Sequence, residues 1–370
     1  MYKRQRHSID AQLITGPTSG PEGSLEDLFC DQPDILHNVP NLIRPVSPTS
    51  DFQAYQKLVD LFRTECPDIV HTHSGKAGIL GRLAAKRARV PVIIHGIHGP
   101  SFGAFQGPVS NLIFTTAERL AGKMTSHFVS VADAMTQQYL RAGIGSKDDY
   151  SRVFSGFDLA PFSGSINSLS LRQELGLRKD SFVFGKIARL FELKGHDALF
   201  SIAPKLIAAN SNIQFLLVGD GILRDQFTRR ISEKGLNDHF VFSGLVPPSE
   251  IPSLVGAMDA VVHLSEREGL PRALAQGAAA GKPLVSYDLD GAPEICIDQQ
   301  TGRLIRHGDE KALNDAMLEL SENTELSRQL GQQGRDYVKD RFSVERMVDD
   351  LAAIYERLLN TSRDPEQPNA

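Results

Sequence analysis

Two cations and a carboxylate stand just past the ends of short apolar runs. The segment Gly185-Lys186-Ile187-Ala188-Arg189-Leu190-Phe191-Glu192-Leu193-Lys194-Gly195-His196 puts Arg189 and Lys194 beyond a predicted strand at 182–187. A guanidinium and an ammonium in one loop can hold a diphosphate and neutralise it as a leaving group. The segment Ser265-Glu266-Arg267-Glu268-Gly269-Leu270-Pro271-Arg272-Ala273-Leu274-Ala275-Gln276 follows a predicted strand at 260–263 and opens a helix at Pro271. A glycine there lets the backbone approach a ligand, and the free N–H groups of the first turn suit phosphate. Glu268 at the loop mouth can bind sugar hydroxyls, and Gln276 offers a further polar contact on the same helix. Taken singly, loop cations read as solvated surface and the helix as an ordinary cover for a sheet.

The first half carries two histidine motifs, His71-Thr72-His73-Ser74-Gly75-Lys76-Ala77-Gly78 and His95-Gly96-Ile97-His98-Gly99. His-x-His is a metal-ligand spacing. No acidic residue adjoins either motif, which argues against a metal hydrolase. For His71 and His73 a structural place beside a sheet is expected. Arg82, Lys86, Arg87 and Arg89 form a basic stretch on the helix after the first motif. It is expected to be a solvated face, and it becomes a candidate contact with anionic lipid if the acceptor is lipid-linked.

These residues need a scaffold that brings strand ends together. Short apolar runs alternate with helical patterns twice: strands at 9–15, 69–73, 91–95, 127–131 and 152–154, then at 182–187, 213–218, 240–242, 260–263, 283–287 and 302–305. Helical stretches fall between them, which implies βαβ units and parallel sheets. The fold class is therefore α/β, with two Rossmann-like doubly wound domains and a ligand cleft at the carboxyl ends of their strands. The expected division is 1–160 and 161–345, followed by a helix at 346–360 and a disordered tail at 361–370, with the Ser/Gly-rich stretch 163–170 as linker.

A chain of 370 residues exceeds one ordinary core. Its net charge of −5 excludes a generally basic nucleic-acid binder, and 41% hydrophobic with 23% charged residues excludes a disordered or collagen-like chain. Cys30, Cys66 and Cys296 are sparse and far apart, which suits a reducing cytoplasm. No apolar run reaches the length of a membrane span. Residues 1–5 read as a translated sequencing adapter fused to an open frame, so the chain is expected to be an N-terminally truncated fragment.

Four segments occur in an ordered set: Arg189-Leu190 with Lys194-Gly195, Val218-Gly219-Asp220-Gly221, Phe242-Ser243-Gly244, and Glu268-Gly269-Leu270-Pro271. With Val153-Phe154-Ser155-Gly156-Phe157-Asp158 and Asp288-Leu289-Asp290-Gly291-Ala292-Pro293-Glu294-Ile295, the set resembles retaining glycosyltransferases of family 4 over nearly the whole chain. The resemblance implies a GT-B architecture of two facing Rossmann-like domains. It implies that Arg189 and Lys194 bind a nucleotide diphosphate and that Glu268 contacts the donor sugar. The backbone of Gly269, Leu270, Pro271, Arg272 and Ala273 would meet sugar and phosphate, and Gly244 and Leu245 the nucleobase. His98 would lie near the reacting sugar. One departure is Gln276, where the family usually has a second Glu on the donor ribose; Gln still pairs with hydroxyls.

The implied reaction moves a sugar from a nucleotide-diphospho-sugar, UDP-linked by family analogy, to a hydroxyl of a sugar, small-molecule or lipid-linked acceptor. It needs neither metal nor cofactor nor nucleic acid. The expected setting is bacterial cell-surface glycan or glycolipid synthesis, in the cytoplasm or at the inner face of its membrane. The alternatives are a GT-B sugar-nucleotide epimerase and a non-catalytic sugar-nucleotide-binding fragment. The family's opening strand and Gly-rich loop have no counterpart before residue 9, so this exact chain is expected to be unstable or inactive.

Overall fold

The computed structural model describes residues 7, 9–17, 26–29, 34–73, 75–103, 105–164 and 169–363. Residues 1–5, Cys30, Ser74, half of the expected 163–170 linker and residues 364–370 of the expected tail lie outside that set. The chain forms two compact units, Met1–Val153 with Met347–Ala370, and Phe154–Arg346. The division thus falls at 153/154 rather than 160/161. The last helix, Val344–Arg363, joins the first unit from Met347 onward and runs past residue 360. Ser163 ends a short helix, Ala160–Ser163, instead of opening a linker.

In the first unit, strands β1 (Leu13–Thr15) and β2 (Leu36–Asn38) pair in parallel as a separate ribbon. Strands β3 (Ile69–His73), β4 (Val92–Ile97), β5 (His127–Ser130) and β6 (Tyr150–Arg152) make a four-stranded parallel sheet in that order. Every residue of β4 is buried, as expected for a strand covered on both faces. One face packs Val70 and Ile93 against the helices Pro48–Glu65 and Gly75–Ala88. The other packs Val92, Ile94 and Val129 against Leu351, Ile354 and Tyr355 of the last helix. That amphipathic helix therefore completes the first core although it closes the sequence.

The second unit has a six-stranded, all-parallel sheet. Strands β7 (Phe182–Ile187), β8 (Ile213–Val218), β9 (Phe240–Gly244), β10 (Ala260–His263), β11 (Leu284–Tyr287) and β12 (Gly302–Ile305) lie in the order β12-β11-β10-β7-β8-β9. The chain builds outward from β7 through β8 to β9, then returns to lay β10 on the other flank of β7. The order thus reverses at the β7–β10 pair. Ligands of open α/β sheets bind beyond the carboxyl ends of the strands at such a reversal. Phe184, Phe215 and Val262 face one core layer, while Val183, Leu216 and Val261 face the other. This alternation is the period-two signature of strands buried on both sides.

Candidate functional site

The loops after β7 and β10 are built onto each other. Gly195 adopts φ 67°, and a Cβ on it would come within 1.8 Å of the Leu264 carbonyl oxygen, so only glycine fits. The Glu266 amide donates to the Leu193 carbonyl at 2.9 Å, which fixes the register of the two loops. Above these backbone contacts the Lys194 ammonium donates to Glu268 Oε1 at 2.7 Å, with both side chains partly open to solvent. The Glu268 amide donates in turn to the Asp290 carboxylate at 2.8 Å. Glu268 is therefore held at side chain and backbone from two different loops.

Arg189 lies in the same β7 loop, its guanidinium 5.0 Å from the Phe191 ring. The Arg189 carbonyl accepts from His196 Nε2 at 3.0 Å, so His196 carries its proton on Nε2. Burial and the neighbouring Lys186 ammonium push the His196 imidazole down to about 3. Lys186, on β7 beneath the loop, is fully buried. Burial, then the like charge of Lys194, lowers its ammonium to about 7, against a raising influence of Glu268. His263 at the end of β10 is held well below its ordinary range by burial and both lysines.

The helix after β10 spans Arg272–Ala279, with Pro271 as its cap in extended conformation. Ala273 is buried, Gln276 half-buried on the same helix, and Gly269 and Pro271 buried in the loop before it, with Leu270 half-buried beside them. The Arg272 guanidinium lies 5.7 Å from the Phe157 ring. Gly244, at the end of β9, accepts from the Gly219 amide at 3.1 Å, and Leu245 beside it is exposed. The structure thus brings Arg189, Lys194, Glu268 and the 269–273 backbone to the β7–β10 reversal, with Gly244 and Leu245 two strands away.

In the first unit the histidines form a row. His71 Nδ1 lies 2.7 Å from the Tyr355 hydroxyl, and the His71 and His73 rings are 4.4 Å apart. His73 Nδ1 lies 2.9 Å from His98 Nε2, with both side chains exposed. His71 is thus tied to the last helix, while His73 reaches outward to His98. His95 is buried against Thr72 Oγ1 at 2.9 Å. Among the described residues no three His, Cys, Asp or Glu side chains gather as a metal site.

The basic stretch needs a correction. Arg82 is buried and bonded to Glu118 Oε2 at 2.6 Å, with a second bond to the Gly78 carbonyl at 3.0 Å. Gly78 and Gly81 on the same helix bring it close to the sheet, where a Cβ would meet the His95 ring at 2.6 Å and the Thr72 methyl at 2.8 Å respectively. Lys86, Arg87 and Arg89 remain exposed. Sequence reasoning also passed over Asp290, Lys186 and His263. The one signal for Lys186 was a single cation inside an otherwise apolar strand; Asp290 lay in a segment noted only for its Pro-Glu end.

Comparison with known proteins gives matches along both units. Residues 168–337 match the family model described as Glycosyl transferases group 1, and residues 2–150 match a Glycosyl transferase 4-like domain. The UDP-Gal:alpha-D-GlcNAc-diphosphoundecaprenol alpha-1,3-galactosyltransferase of Escherichia coli is 29% identical over 86% of this chain and 82% of its own length. The capsular polysaccharide biosynthesis glycosyltransferase CapM of Staphylococcus aureus is 22% identical over 89% and 87%. Among solved structures, Anabaena Alr3699/HepE in complex with UDP superposes with a TM-score of 0.78 at 23% identity, covering 93% of this chain and 92% of that one. A second structure of that protein, holding UDP-glucose, gives the same TM-score of 0.78.

Proposed function

Because the chain belongs to the group 1 glycosyl transferases of family 4 and has the GT-B fold, we propose that it is a retaining hexosyltransferase using a UDP-sugar donor. The Lys194–Glu268 pair at the β7–β10 reversal is the observation that carries this reading. It sets a cation for phosphate beside a carboxylate for sugar hydroxyls, on loops locked by Gly195 and Asp290. Arg189 and Lys194 hold the diphosphate, the amides at the start of the helix Arg272–Ala279 add donors to it, and Gln276 meets the ribose.

The acceptor hydroxyl attacks the anomeric carbon on the face the diphosphate leaves. The C1–O(phosphate) bond breaks as the new glycosidic bond forms, and the hydroxyl proton passes to a diphosphate oxygen. Arg189 and Lys194 neutralise the charge that builds on that leaving group, so the reading requires no metal. His98, steadied by His73, is assigned to the acceptor side.

We assign the acceptor to the lipid-linked class, as the E. coli relative's name describes for that protein, and the role to cell-surface glycan synthesis, a reading supported by the name of the S. aureus capsular polysaccharide relative. The helix Pro108–Gly122 supports this with an exposed apolar row. Val109, Leu112, Ile113 and Leu120 share one side, Arg119 and Lys123 are exposed at its end, and its one acid, Glu118, is buried. Such a face suits the boundary of an anionic bilayer. This helix, rather than Arg82 and its neighbours, is the membrane contact we propose. No helix among the described residues is long and apolar enough to cross a membrane. Thermal shift against a panel of nucleotide sugars tests the donor class: UDP-sugars raise the unfolding temperature, and a response confined to another nucleotide base would overturn it.

A further inference from the structure

Around the Lys194–Glu268 pair lies a second layer of polar atoms that no contact satisfies. Lys186 Nζ, His196 Nδ1, His263 Nε2 and Ser265 Oγ are all buried without a hydrogen-bond partner. They come from both strands of the β7–β10 reversal, from the loop after β10 and from the helix His196–Ala209. A buried ammonium without an acceptor is among the costlier things a fold can contain, and it escapes that cost by losing its proton.

Each neighbour of Lys186 bears on that choice. From the loop after β7, the Lys194 ammonium opposes its charge. From the helix His196–Ala209, the neutral His196 presents a bare Nδ1, because its Nε2 proton is committed to Arg189. From the end of β10 comes His263, held neutral by burial. From the loop after β10 comes Glu268, the one favourable charge, already engaged by Lys194. On the β8 side Lys186 is paired in register with Leu217, which offers only an apolar side chain.

We infer that Lys186 is a positioning residue of this site, giving up its proton above neutral pH in the free protein and taking it back when a diphosphate binds the Arg189–Lys194 loop. The inference rests on the donor reading given above. The bound anion offsets the Lys194 charge and supplies the negative field that the second layer lacks. The resulting buried ammonium then anchors Glu268 from below, with His196 Nδ1 available as an acceptor. Binding and protonation are thereby coupled, each strengthening the other by the same factor.

Titration calorimetry with UDP, repeated at pH 8 in buffers of different ionisation enthalpy, counts the protons exchanged. The wild-type chain is expected to take up close to one proton per UDP, and its affinity to fall about tenfold from pH 8 to pH 9. Lys186→Met is expected to bind UDP with no such uptake and a flat pH profile. Lys186→Arg, charged throughout, is expected to restore affinity at pH 9 without restoring uptake. UDP binding by the wild type with no proton uptake, or equal uptake by Lys186→Met, overturns the inference and leaves the donor reading intact. Absence of UDP binding by the wild type at every pH overturns the donor reading, and the inference with it. The wild-type measurement decides the matter even where a variant does not fold.

Discussion

Gly195 packs its α-carbon against the backbone of Leu264, where a methyl group would sit 1.8 Å from the carbonyl oxygen. This contact, between the loop after β7 and the end of β10, sets where Lys194 begins and hence where its ammonium meets Glu268. Gly195→Ala must both adopt φ 67° and displace backbone, whereas Gly176→Ala, at φ 79° with open space around it, faces the conformational cost alone. That cost is about 1–2 kcal/mol. Denaturant unfolding should show Gly195→Ala losing more stability than Gly176→Ala; equal losses would mean the two loops are not locked at this point.

Lys186 should reveal itself in stability as well as in binding. Its ammonium titrates near 7 in the fold against 10.5 as the ordinary value. Below pH 7 both folded and unfolded chains carry the proton, and the fold bears the full burden of a buried charge. Between pH 7 and 10.5 the unfolded chain holds the extra proton, so stability rises with pH. Lys186→Met removes the charge at similar volume. Its unfolding temperature should exceed that of the wild type most at pH 6 and converge towards it by pH 10. A constant gap would contradict the assignment.

Buried neutral histidines give an acid limb with the same sign. His127 is lowered to about 4 by burial and by Arg357, and His196 to about 3. Each contributes stability that is present above the unfolded value of 6.5 and is lost as pH falls below it. Thermal melts from pH 7 to 4.5 should show a falling midpoint, and His127→Gln should flatten part of that fall. A midpoint independent of pH would oppose this.

Arg82 and Glu118 form a fully buried pair at 2.6 Å in the first unit. Glu118→Ala leaves the guanidinium uncompensated and should cost about 3–5 kcal/mol by denaturant unfolding, whereas exposed Arg87→Ala should change little. Similar small effects at both positions would return Arg82 to the surface role that its composition suggests.

Much of the scaffold could be read directly because parallel strands covered on both faces are runs of apolar residues. Residues 260–263 and 213–218 stand out on that ground, and the loop that follows the first of them carries Glu268. The short β2 strand, Leu36–Asn38, has too few residues to show a period. Arg82 was misplaced because charge suggests solvent. Its burial depends on Glu118, thirty-six positions away, and no local pattern reports such a partner. Lys186 and Asp290 were passed over for the same reason: each acquires meaning only from loops brought together by the strand reversal. The role of the final helix in the first core was likewise invisible, since its amphipathic pattern does not say which unit it covers.

The exposed row on the helix Pro108–Gly122 makes a prediction about surfaces. Vesicles containing anionic lipid should sediment the wild-type chain, and Leu112→Asp with Ile113→Asp should abolish that binding while the far-ultraviolet dichroism stays unchanged. Undiminished binding by the double variant would move the membrane contact elsewhere.

The central claim is that Lys194 and Glu268 mark a working donor site. Its most direct test is transfer of labelled sugar from a UDP-sugar to a lipid-linked acceptor by the wild type, where turnover would also overturn the expectation of an inactive chain, and by Lys194→Ala. Turnover should fall by about 10²–10³-fold in Lys194→Ala, with its melting temperature nearly unchanged, as expected when a cation stabilising a leaving group is removed. Near-normal turnover in Lys194→Ala would contradict the account.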